Sequence, residues 1–97
     1  MTGETVEKII FRALESLNAE RGPDEQIEIS PATRLFGVDA ELDSLSLVSL
    51  ISDVETTINV EHRLAINLAD DRAMSRAESP YTSVATLKNY ILELTRS

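Results

Sequence analysis

The sequence predicts a small all-α fold with three principal helices, a short extra helix before the last one, and a long first connection. Three observations carry this prediction. Apolar residues recur with helical period in three separate stretches. The stretch 42–58 contains neither glycine nor proline. The chain has 97 residues, 42% of them hydrophobic but only 4% aromatic, which suits one domain (residues 1–97) around an aliphatic core.

The first helix is predicted over about residues 2–20. Val6, Ile9, Ile10, Ala13, Leu14 and Leu17 follow the i, i+3, i+4, i+7, i+8, i+11 spacing of one apolar stripe. Thr2 is a candidate N-cap with Glu4 in the first turn, and Gly22-Pro23 stops the helix. Residues 21–43 then read as a connection with pinned points. Ile27 and Ile29 alternate with Glu28 over a stretch too short to assign as a strand, and Ser30-Pro31-Ala32-Thr33 is turn-like. Leu35-Phe36 is an apolar pair expected to anchor the connection on the core. A connection this long implies function or local helical turns.

The second helix is predicted over about 44–58, with Asp43 as its N-cap. Leu47, Leu50, Ile51, Val54 and Ile58 form its core stripe. Leu45 and Val48 fall off that stripe, beside Ser46, Ser49 and Ser52, and periodicity alone fits a broad apolar face equally well. Leu64, Ile66 and Leu68 suit an irregular segment or a short helix, and residues 70–75 another short helix ahead of the Ser79-Pro80 break. Thr82 or Ser83 caps the last helix, whose stripe is Val84, Leu87, Ile91 and Leu94.

Charge narrows the function classes. The net charge is −8, which argues against nucleic acid and anionic membranes and for basic partner surfaces. Between Arg34 and Arg63 lie Asp39, Glu41, Asp43, Asp53, Glu55 and Glu61, with no lysine or arginine, so negative field is expected around residue 44. With no cysteine there is no zinc thiolate site and no thiol nucleophile, and any thioester chemistry needs a sulfur from a cofactor. No signal-peptide pattern opens the sequence and no apolar run approaches 18 residues, so the expectation is a cytoplasmic protein without membrane insertion.

The tripeptide Asp43-Ser44-Leu45 carries the most chemistry. A hydroxyl in the first turn of a helix can hold a phosphate against backbone N–H groups and the positive dipole end. The motif, together with its mid-chain position, the amphipathic helix after it, the acidic surroundings and the domain size, resembles that of the acyl carrier proteins. Thr33-Arg34-Leu35-Phe36-Gly37 resembles the family's segment ahead of the motif, and the resemblance covers nearly the whole chain. It implies a four-helix acyl-carrier-like bundle with 4'-phosphopantetheine esterified to Ser44. The protein would be a monomeric carrier, not an enzyme, with an acyl or aminoacyl group held as a thioester. Its partners would be a phosphopantetheinyl transferase, an acyl or aminoacyl ligase or acyltransferase, and downstream synthases of fatty-acid, polyketide or related biosynthesis.

The resemblance also assigns roles by position. Asp43 would assist the transferase's magnesium as well as cap the helix, Leu45, Val48, Ser46 and Ser49 would face partners, and Leu47, Leu50 and Ile51 would line the interior. Two departures point to a specialised member. The 59–81 segment is longer by about a short helix, and Ser46 and Ser49 stand where acids are usual, leaving Asp53 and Glu55 further along. Salt-dependent docking through this helix is therefore expected to be weak.

Ser44 has no activating base of its own. His62 is the single histidine, and the intervening helix separates the two by more than about 20 Å. No histidine cluster, cysteine or acid–base pair supports a hydrolase or a metal protein. The remaining alternative is a helical protein–protein adaptor without a prosthetic group, which explains the charge and the amphipathic helices but not Ser44 at a helix start.

Overall fold

A computed structural model describes residues 2–37, 40–68 and 81–95. These form three α-helices: α1 (Gly3–Ala19), α2 (Ser44–Glu61) and α3 (Val84–Thr95), with a 3-10 turn at Pro23–Glu25. Among the described residues there is no strand, only an isolated antiparallel bridge between Arg34 and Ser83. Helix α1 packs against both α2 and α3. The short helix expected over 70–75 lies outside the described residues.

Thr2 caps α1, its Oγ1 accepting from the Thr5 amide at 3.2 Å. The predicted stripe is the buried one, with Val6, Ile9, Ile10, Ala13 and Leu14 in the core and Leu17 packed at its edge. Leu47, Leu50, Ile51, Val54 and Ile58 join it from α2, and Val84, Leu87, Tyr90 and Ile91 from α3. Each large side chain fully removed from water contributes roughly 1.5–3 kcal/mol, so the three stripes are what hold the bundle. Leu94 is only partly buried, and Tyr90, outside the predicted stripe, takes a core position instead.

Two asparagines near helix ends fix the chain that follows. The Asn18 side chain donates to the Ile27 carbonyl (3.0 Å) and accepts from its amide (2.7 Å). Asn59 treats Ile66 identically, at 3.1 and 2.9 Å. Each side-chain amide thus replaces a partner peptide group and satisfies a backbone pair that has left regular structure. The 64–68 segment is accordingly irregular, not helical, and buries Leu68. Both polar groups of Leu68 are bound by side chains. Its amide donates to Glu55 Oε2 at 2.7 Å, and its carbonyl accepts from the Tyr81 hydroxyl.

Helix α2 runs to Glu61, three residues beyond the expected end. It stops where Arg63 adopts a left-handed backbone (φ 53°), allowing the Leu64 amide to bond the Asn59 carbonyl at 3.2 Å. That closure usually recruits glycine, and an arginine in its place hides the stop signal. The expectation for Leu35-Phe36 also needs correction. Leu35 is fully buried, but Phe36 is 48% exposed, so one residue of the pair anchors the connection.

The first connection is tied down along its length. Thr33, a buried polar residue, donates from Oγ1 to the Glu28 carbonyl (2.6 Å) and accepts from the Ser30 amide (2.9 Å). The Leu35 amide reaches the Thr82 carbonyl at 2.9 Å, and the Glu41 amide reaches the Arg34 carbonyl at 2.8 Å. The connection therefore crosses to the start of α3 before returning to the start of α2. Buried Leu42 fixes that return just ahead of Asp43.

Candidate functional site

The start of α2 is built by Asp43. Its Oδ1 accepts from the Ser46 amide at 2.8 Å and its carbonyl from the Leu47 amide at 2.9 Å, so Asp43 is the N-cap and Ser44 the first helical residue. The Ser46 amide holds the Asp43 carboxyl below the usual carboxylate range, helped by the Ser46 hydroxyl and by the charge of Arg21, and slightly opposed by desolvation. A carboxylate with this cap stays ionised at neutral pH. The Ser44 hydroxyl itself lies outside what the structure describes.

Leu45 is 82% exposed and Val48 66% exposed, while Leu47, between them in sequence, is buried. These two large apolar residues on the first turns of α2 have no core role. Ser49 is exposed and Ser46 half-buried. The Ser46 hydroxyl accepts from Arg21 Nη2 at 3.2 Å, and Arg21 Nη1 donates to the Glu25 carbonyl at 3.4 Å. Arg21 thereby joins the chain after α1 to the first turn of α2.

A groove of ≈ 570 Å³ runs along this join, with Arg21, Asp43 and Ser46 beside Glu20, Asp24, Glu25 and Glu41. The acids near the start of α2 are thus only partly those expected. Glu41 and Asp43 are present, but Glu20, Asp24 and Glu25 come from the end of α1 and the 3-10 turn. Glu55 is committed to the Leu68 amide and Glu61 pairs with Arg12 at 3.5 Å. Asp53 lines a separate groove against Ile9, Arg12, Ala13 and Ser16 of α1. Asp39 lies outside the described residues.

Sequence reasoning did not single out Arg21 or the α1-end acids. Their approach to α2 depends on the path of the first connection, which no local pattern encodes. His62 is exposed at the C-cap of α2, at the opposite end of a helix about 27 Å long from Ser44. Among the described residues no group of three or more His, Cys, Asp or Glu is arranged to hold a metal ion. No helix among them is long and apolar enough to cross a membrane.

No protein-family model matches the chain, and comparisons with curated proteins and with solved structures found no match.

Proposed function

We propose that the protein is an acyl carrier whose Ser44 accepts 4'-phosphopantetheine. The observation that carries this reading is the position of Ser44. It is the first residue of α2, directly after an ionised N-cap and directly before an apolar residue left 82% exposed. A phosphate esterified there would meet the positive end of the helix dipole. The exposed Leu45 and Val48 suit contact with the successive enzymes a carrier must visit.

In the proposed modification, the Ser44 hydroxyl attacks the β-phosphate of coenzyme A. A phosphodiester forms to the pantetheine arm, adenosine 3',5'-bisphosphate leaves, and the serine proton passes to a base of the transferase. Transfer of this kind is chiefly positioning and charge neutralisation. Magnesium, brought with coenzyme A, would offset the repulsion between Asp43 and the incoming phosphate. The terminal thiol of the arm then supplies the thiol that the cysteine-free chain lacks, and an acyl or aminoacyl group is carried on it as a thioester.

The test is intact mass after incubation with coenzyme A, magnesium and a broad-specificity phosphopantetheinyl transferase. Wild-type protein is expected to gain one phosphopantetheine and Ser44→Ala none. A folded wild type that gains nothing from two unrelated transferases would overturn the carrier reading and favour the adaptor, which uses Leu45 and Val48 without a prosthetic group.

A further inference from the structure

The first turn of α2 has little of the core beneath it. Between buried Leu42 and buried Leu47, Asp43 and Leu45 are exposed and Ser46 is half-buried. Helix ends with few buried contacts fray and open more readily than the body of the element. Two contacts act against that opening. One is local, the Asp43 cap on the Ser46 amide. The other spans 25 residues of sequence, with Arg21 Nη2 donating to the Ser46 hydroxyl at 3.2 Å while Nη1 donates to the Glu25 carbonyl at 3.4 Å.

Arg21 is itself anchored. Its amide donates to the Asn18 carbonyl at 3.1 Å, and its carbonyl accepts from Gln26 Nε2 at 3.2 Å. The same nitrogen donates to the Asn18 carbonyl at 2.8 Å, and the Asn18 side chain in turn holds the backbone of buried Ile27. The guanidinium therefore reaches α2 from a fixed base on the chain after α1.

We infer that Arg21 is a positioning residue for the modification of Ser44: by clamping Ser46, it keeps the first turn of α2 formed and presents the serine in one geometry. The inference deepens the carrier reading and rests on it for what happens at Ser44. At about 100° per residue, positions 44 and 46 lie about 200° apart around the helix, so Arg21 acts through the backbone of the turn and not on the transferred phosphate. When a turn is formed only part of the time, the transferase meets a smaller competent fraction. Apparent affinity drops by that fraction, while the rate within the complex is unchanged. Loss of the clamp should thus raise KM and leave kcat. An effect of the Arg21 charge alone predicts otherwise, since Ser46→Ala would then change nothing.

The test pairs amide exchange with transferase kinetics on Arg21→Met, Ser46→Ala and the double variant. In the unmodified protein, exchange at the Ser46 and Leu47 amides should quicken about fourfold in each, with the Thr86 amide at the start of α3 unchanged. With coenzyme A, magnesium and a broad-specificity phosphopantetheinyl transferase, KM for the protein should rise about twofold or more at constant kcat. The double variant should match the worse single variant, because both substitutions remove one contact. Quickening that reaches Thr86 equally, no quickening at Ser46 and Leu47, additive losses in the double variant, or a loss confined to kcat would each overturn the inference. Modification of the variants at the wild-type KM would remove the role of Arg21 and leave the carrier reading standing. A wild type that gains no phosphopantetheine would remove the carrier reading, and the part of Arg21 in the modification with it, while exchange would still report whether the clamp holds the turn.

Discussion

Helices α2 and α3 begin with the same device and end up with opposite surroundings. A short polar side chain caps each one: Asp43 accepts from the Ser46 amide at 2.8 Å, and Ser83 from the Thr86 amide at 3.3 Å. At α3 the cap is reciprocal, because the Ser83 amide returns a bond to Thr86 Oγ1 at 2.9 Å. The first connection then closes over the turn, its Thr33 and Pro31 carbonyls accepting from the Val84 and Ala85 amides at 3.0 and 3.1 Å. Val84 follows, fully buried. At α2 the cap is an exposed carboxylate, and the residue after Ser44 is a leucine that faces water. One helix start is sealed into the fold and the other is presented to solvent, so capping chemistry alone does not mark a functional start. What separates the two starts is the exposure of the residues behind the cap.

The contrast can be broken most severely at Leu35, the fully buried residue that holds the connection across α3. Leu35→Ala should cost about 2–5 kcal/mol in chemical denaturation. It should also speed amide exchange at Val84 and Ala85 more than at Ser46. A uniform change at all three amides would show that the connection does not specifically seal α3.

Next in size is the cap itself. Ser83→Ala leaves the Thr86 amide without its acceptor in a half-buried site and should cost about 1–2 kcal/mol. Asp43→Ala should cost less, because water reaches the Ser46 amide once the carboxylate is gone. Urea midpoints of the two variants measured side by side check the order, and equal losses would erase the distinction between the helix starts.

The finest distinction is in pH dependence. The Asp43 carboxyl is depressed in the fold, so its contribution is present above the unfolded value of about 3.9 and is lost as pH falls through the lower folded value. Asn accepts the same amide bond without titrating. Asp43→Asn should therefore flatten the acid limb of stability below about pH 4, whereas Ser83→Ala should leave that limb parallel to the wild type. Thermal melts between pH 3 and 7 check this, and an unchanged acid limb in Asp43→Asn would count against the cap as its source.

Helix periodicity made most of this legible before any coordinates. The core stripes of α1 and α2 and the caps Thr2 and Asp43 are local patterns that the fold keeps, and of the two candidates Thr82 and Ser83 it is Ser83 that caps α3. Less legible was whatever depends on the chain meeting itself. The end of α2 was hidden because Arg63 takes a backbone conformation that normally signals itself through glycine. Tyr81 beside Pro80 resembles loop sequence, yet it is buried because its hydroxyl finds the Leu68 carbonyl. At the candidate site, Asp43 and Ser44 could be placed from a helix start, whereas the exposure of Leu45 could not, because periodicity fits a broad apolar face equally well. Glu20, Asp24 and Glu25 are about twenty residues earlier in the chain and reach that start only through the folded connection.

The binding of Leu68 makes one residue a clasp between two helices. Its amide is held by Glu55 of α2, its carbonyl by Tyr81 just ahead of α3, and both Leu68 and Tyr81 are buried. Loss of either side chain would leave a buried backbone group of Leu68 without its partner, so damage on the α2 side and damage on the α3 side converge on the same peptide.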